Sequence, residues 1–141
     1  METRQELTYE FLSNYRKLNK MTRTHLNELL DTYLPFNEFM VLRLIHEQKH
    51  INISQIAEKL SVSASHITSV SEKLIKKGYL TRIRALDDRR VVYLELTETG
   101  EKVKTEVETT ITEYFHQKLE NVTNEEIIVF NRLLTKLLEE Q

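Results

Sequence analysis

Between positions 4 and 30 the chain has neither Gly nor Pro, and Leu7, Phe11, Tyr15, Leu18, Thr22, Leu26 and Leu29 return every three or four residues. That is the period of one helix face. A helix of about 25 residues is roughly 38 Å long. A stripe of that length cannot be buried inside one small domain, so the pattern predicts packing against a partner chain. The stretch "YLPFNEFMVLRLIHEQ" (33–48) comes next. Pro35 suits a first helical turn, and Phe36, Phe39, Met40, Leu42, Leu44 and Ile45 then line a short, mostly buried helix ending near Gln48. "HINI" (50–53) alternates and is β-branched, which predicts a brief strand.

Ser54 is a candidate cap for "QIAEKL", with Ile56, Ala57 and Leu60 facing inward. "SVS" (61–63) is a tight connection, and Ser63 can cap "ASHITSVSEKLIKK", which stops at Gly78. Two short helices joined by such a turn make a helix-turn-helix. "YLTRIRA" (79–85) and "VVYLEL" (91–96) both alternate around the charged tip "LDDRR" (86–90). A hairpin joined directly to a helix-turn-helix is a winged helix. Thr97 can cap a long helix over about 98–118, and "TNEE" from Thr123 is a capping box closed by Glu126. The last helix carries Ile127, Ile128, Phe130, Leu133, Leu134, Leu137 and Leu138. These cover more than one core-facing stripe, so a second surface must be buried. The expected class is mainly α (α+β winged helix), with long terminal helices around a central winged helix-turn-helix and its two-stranded wing.

Composition narrows this further. Two Gly and one Pro in 141 residues favour long helices over a turn-rich sheet protein. The absence of Cys removes disulfides, thiol nucleophiles and thiol redox sensing, and suits a cytoplasmic location. No apolar run is long enough to span a membrane, and "METRQELTYE" has no apolar signal core. Net charge is −2, but residues 53–93 hold eight Lys/Arg against four Asp/Glu, and the remainder twelve against eighteen. A basic centre between acidic ends is the electrostatic footprint of a nucleic-acid binder.

One motif points elsewhere. "HEQKH" (46–50) reads H-E-x-x-H, the zinc-protease arrangement of two His one turn apart with Glu as base. A zincin needs the motif within a long helix and a third ligand. Here the helix is about to end, and Ile53 and Ile56 stand where the extended motif has Gly and His. Glu72 is a distant acid, but it falls in the proposed reading helix. Neither a metal site nor a cofactor is assigned, and an enzyme is not expected.

The stretch "LIKKGYLTRIRALDDRRVVYLELTETG" (74–100), with Leu74, Gly78, Arg82, Asp88, Arg90, Leu96, Thr97 and Gly100, resembles the MarR family of bacterial transcription regulators. The resemblance covers nearly the whole chain. It implies a homodimer with interleaved terminal helices, in which 1–34 and 98–141 form the dimerisation region and 35–97 the winged helix-turn-helix. It also implies double-stranded promoter DNA as partner, a repressor more often than an activator, and a small-molecule effector whose site is unassigned. Some relatives in that family sense zinc; His25, His46, His50 and His116 would be the candidates here.

On the reading helix, Ala64, Ile67, Val70 and Leu74 share the packing face, and Ser65, His66, Ser69 and Lys73 lie roughly opposite. Small hydroxyls and a His can approach base edges, and Lys73 can reach phosphate. Capping explains Ser63 fully, and any phosphate contact would be additional. By the resemblance, Asp88 pairs with a wing Arg and stiffens the hairpin, while Arg90 enters the minor groove, where narrow A·T segments concentrate negative potential. Lys76, Lys77 and Arg89 are expected phosphate partners and Arg84 a further wing cation; Arg82 supports either the fold or the wing base. The competing class is a winged helix used for protein contact without DNA. It would carry an apolar or acidic reading face, unlike Ser65, His66, Ser69 and Lys73.

Overall fold

The computed structural model describes residues 1–88 and 90–139. In chain order these form α1 (Arg4–Leu30), α2 (Phe36–Gln48), α3 (Ile53–Leu60), α4 (Ala64–Lys76), β1 (Leu80–Arg84), β2 (Val92–Leu96), α5 (Glu98–Lys118) and α6 (Asn124–Leu138). The mainly helical winged-helix class is thus observed. The chain divides into two compact units, Met1–Glu108 and Thr109–Gln141.

The first unit holds every buried apolar side chain found among the described residues, from Leu26 to Val107. Its centre is where α2, α3, α4 and the hairpin meet, with Leu42, Ile56, Ile67 and Leu74 fully enclosed. α1 follows the predicted span and starts with a capping box between Thr3 and Glu6. Only its last turns reach the core, through Leu26 and Leu30, while Leu7, Phe11, Tyr15, Leu18 and Leu29 are exposed. In α2, Phe36 is exposed, and Val41 and Glu38 are buried in addition to Phe39, Leu42 and Ile45.

Two local expectations need correction. Asn52, not Ser54, caps α3: its side chain accepts from the Gln55 amide at 2.9 Å, and the Gln55 side chain accepts from the Asn52 amide at 3.0 Å. The helix therefore starts inside "HINI". That leaves Ile51 only one bridge, to Leu94, in place of a strand. Ser61 then takes the left-handed conformation that ends α3 (φ 55°). β1 pairs antiparallel with β2, Leu80 opposite Leu96 and Arg84 opposite Val92.

The Gly-x-…-Leu-Thr-x-x-Gly signature has a physical reason. Gly78, at φ +82°, ends the reading helix in a conformation that costs an L-residue about 1–2 kcal/mol. The Thr97 hydroxyl donates to the Gly78 carbonyl at 2.6 Å and accepts from the Gly100 amide at 3.0 Å, so one side chain ties the end of α4 to the start of α5. A Cβ on Gly100 would collide with the Tyr79 carbonyl. These contacts fix where the wing leaves the reading helix.

In the second unit α6 begins with the capping box expected at Thr123 and Glu126. None of its residues is buried: Ile128, Phe130, Leu137 and Leu138 are each more than half exposed, and Leu133 and Leu134 nearly so. No helix among the described residues is long and apolar enough to cross a membrane.

Candidate nucleic-acid interface

α4 presents two faces. Ile67, Val70, Ser71 and Leu74 are buried, and Ser65, His66, Ser69 and Lys73 are exposed. Ala64 is exposed as well, because the first turn projects past the core. Ser63 caps the helix, its hydroxyl accepting from the His66 amide at 3.1 Å and lying 3.2 Å from the Ser65 hydroxyl. The N-terminal turn thus presents two hydroxyls and an imidazole to solvent at the end of a helix whose dipole favours anions. Ser69, Lys73 and Lys76 line a shallow hollow further along, together with Glu72 and Ile75.

The basic residues differ in what holds them. Lys77, which caps the C-terminal end of α4, reaches the buried Glu38 carboxylate of α2 at 2.9 Å. Arg82 on β1 reaches Glu72 on α4 at 2.9 Å. Arg84 ends β1 and is exposed. At the wing tip Asp88 takes three N–H groups from Arg90: the backbone amide at 3.0 Å, Nε at 3.2 Å and a terminal guanidinium nitrogen at 3.3 Å. Those contacts, the guanidinium first and the amide second, hold the Asp88 carboxyl below its ordinary value. The Asp–Arg pairing drawn from the resemblance is therefore made with Arg90 itself, whose side chain is 91% exposed. Arg89 lies outside the described residues. A second hollow, of about 300 Å³, brings Arg82 and Arg90 together with the α3 start at Asn52, Ile53 and Ser54.

Arg82, left open between fold and wing base by the sequence, spans both through Glu72. Sequence reasoning missed the Glu38 brace. The signal was there: Glu38 stands four residues after Leu34 and four before Leu42, inside the apolar stripe. A carboxylate at such a position requires a cation.

The two ends of "HEQKH" are not on one helical face. α2 ends at Gln48, and Lys49 turns the chain at φ 57°. His46 stays on the helix, with Nδ1 2.9 Å from the Glu101 carboxylate, while His50 lies edge-on to Tyr93. Among the described residues no group of three His, Cys, Asp or Glu is placed to hold a metal ion.

Comparison with known proteins agrees with this geometry. The family model for the MarR family matches residues 34–92, from the end of the first inter-helix turn to the wing. The uncharacterized HTH-type transcriptional regulator YpoP of Bacillus subtilis is 39% identical over 137 residues, covering 97% of each chain. A MarR family protein from Bacillus stearothermophilus superimposes with a TM-score of 0.86 at 25% identity, over 96% of each chain. A point mutant of MarR from E. coli, solved in complex with operator DNA, gives 0.76 at 24% identity, over 98% of this chain and 100% of that one.

Proposed function

The chain belongs to the MarR family of transcriptional regulators, and from that premise we propose that it is a cytoplasmic homodimer that occupies a pseudo-palindromic promoter site, as a repressor, and leaves it when a small-molecule effector binds. The observation that carries the DNA reading is the pairing of one exposed helix face with one exposed wing cation. Ser65, His66, Ser69 and Lys73 on α4 suit a major groove, and Arg90 at the hairpin tip suits the adjacent minor groove. The fold shared with a protein solved on operator DNA supports the same assignment.

Ser63 serves the interface by setting the first turn of α4. Lys73, Lys76, Arg84 and Arg89 supply phosphate contacts. Lys77 and Arg82 brace α4 from either side, and Asp88 orders the wing tip. Residues 35–97 form the DNA-binding region, and 1–34 with 98–141 the dimerisation region. The apolar side chains left exposed on α6 and along α1 support a second copy of the chain as their partner. Release follows if the effector prefers a spacing of the two reading heads that cannot span both half-sites.

The test is selection of duplexes from a random library, followed by fluorescence anisotropy on the enriched sequence at two salt concentrations, for wild type and Arg90→Ala. Enrichment of an inverted repeat with half-site centres about 10 base pairs apart, bound more weakly at high salt and by the variant, supports the proposal. No enriched sequence, with binding insensitive to salt, refutes it.

A further inference from the structure

Asp88 has two separable duties at the wing tip. Its Oδ1 accepts from the Arg90 amide, and its carbonyl accepts from the Val91 amide at 3.0 Å, so the backbone turn is held through backbone N–H groups. Its carboxylate charge is engaged by the guanidinium of the same Arg90, through Nε and a terminal nitrogen. Two residues apart in sequence, the pair needs no other element to form. The guanidinium can leave the carboxylate while the turn stays closed.

The cation so held is the one aimed at DNA. The Arg90 side chain is 91% exposed and that of Asp88 39%, so solvent and a duplex both have access to the pair. Paired, the two charges present a dipole, whose field decays faster than that of a free cation. A duplex must therefore attract Arg90 strongly enough at short range to replace Asp88.

We propose that Asp88 tempers DNA affinity as an internal competitor for the wing cation: it holds Arg90 away from any duplex whose minor groove does not attract a guanidinium more strongly than the carboxylate does. This rests on the DNA-binding reading above and deepens it. Narrow A·T minor grooves concentrate negative potential and win the exchange; wider grooves do not. A duplex that wins the exchange bears the full cost of breaking the pair, and one that leaves the pair intact forgoes only its own weaker attraction for Arg90, so removing the carboxylate charge tightens the operator at least as much as other DNA. Exposed ion pairs are weak, so the penalty is small, roughly two- to fivefold in affinity.

Asp88→Asn separates the two duties, since Asn keeps the Oδ1 acceptor for the Arg90 amide and loses the charge. Wild type, Asp88→Asn, Arg90→Ala, the double variant and Asp87→Asn are compared by anisotropy on the selected operator and on a scrambled duplex of equal length, across a salt series. Thermal melts check that each variant is folded. We expect Asp88→Asn to tighten operator binding about two- to fivefold, to tighten scrambled-duplex binding by no more than that, and to steepen the scrambled-duplex salt slope by up to about one. That gain should largely vanish in the Arg90→Ala background and exceed the gain from Asp87→Asn, which removes the same formal charge from the same tip. Equal gains with and without Arg90, or from Asp87→Asn, would mean simple relief of repulsion and overturn the proposal. So would weaker binding of Asp88→Asn to both duplexes, which would leave Asp88 only a builder of the turn. A wild type that prefers no duplex overturns the DNA reading itself, and this inference with it.

Discussion

Lys77→Met is the perturbation that best separates bracing from phosphate contact. The Glu38 side chain is 6% exposed and Lys77, its partner at 2.9 Å, 39%. Removing one member of a fully buried pair costs about 3–5 kcal/mol, because the other charge is left without compensation. A fully exposed pair contributes about 0–1 kcal/mol. Here the carboxylate is buried, but water reaches the ammonium side, so the expected loss lies between, at about 2 kcal/mol. For a chain of this size that lowers Tm by roughly 6–8 °C. Glu38→Gln should cost less, since the Lys77 ammonium can turn into water. Glu38→Leu combined with Lys77→Met should recover to within about 1 kcal/mol of wild type, because no buried charge remains. The assay is urea unfolding at one fixed protein concentration, as dimerisation would otherwise shift the midpoint. DNA affinity is then measured across salt concentrations. A brace changes stability and leaves the slope intact; a phosphate ligand lowers the slope by about 0.9. If Lys77→Met unfolds at the wild-type midpoint and loses one unit of slope, Lys77 is a DNA contact and the brace assignment is wrong.

Four further outcomes are expected. Gly100→Ala, whose Cβ meets the Tyr79 carbonyl, should destabilise by about 2–3 kcal/mol, against about 1 kcal/mol for Gly78→Ala, where φ is +82° but the space is open; equal urea midpoints would refute the clash. Arg82→Ala should weaken operator binding by exposing the Glu72 charge on the DNA side of α4, and adding Glu72→Gln should restore it; a double variant as weak as the single one, with a lower salt slope, would make Arg82 a phosphate contact. Leu133→Asp with Leu137→Asp should convert the proposed dimer to a monomer in sedimentation velocity, and an unchanged dimer would remove α6 from the interface. The Asp88 carboxyl is held below 3.8, so the ordering it gives the turn is complete above that pH and is lost only as pH falls through the lower folded value; an NMR titration of Asp88 should show this midpoint, and Arg90→Ala should raise it toward 3.8.

The helices and the wing were legible because their signals are local. Ser63, Thr97 and Thr123 each stand one residue before their helix, and the structure uses all three as caps. Where two local signals competed, the sequence misled. Asn52 and Ser54 both suit a cap, and Asn52 prevails because Gln55 stands three residues on and returns the hydrogen bond. Helical period placed Ala64 on the packing face by arithmetic alone, but the first turn of α4 extends beyond the residues that could cover it. Ion pairs between distant elements were the least legible. Lys77 with Glu38 are 39 positions apart, and His46 with Glu101 are 55. A charge count cannot tell a brace from a phosphate ligand; only the position of Glu38 in an apolar stripe hinted that one lysine was already engaged.

Those pairings change what the basic centre means. Within 53–93, Glu72 and Asp88 are engaged by Arg82 and Arg90, and Lys77 is engaged by an acid outside the segment. The two internal pairs are already cancelled in the surplus counted from sequence, and the Lys77 pairing alone lowers it, from four to three. Long-range attraction rests more on cations outside these pairs, Lys73 and Lys76 among them. Such a site gains less from non-specific phosphate binding, which scales with the number of phosphates neutralised. It depends more on the fit of α4 and the wing to particular grooves. That is the balance expected of a regulator that must ignore most of the DNA it meets, and on the proposal above the contested cation sits at the wing tip, where Asp88 and Arg90 face each other.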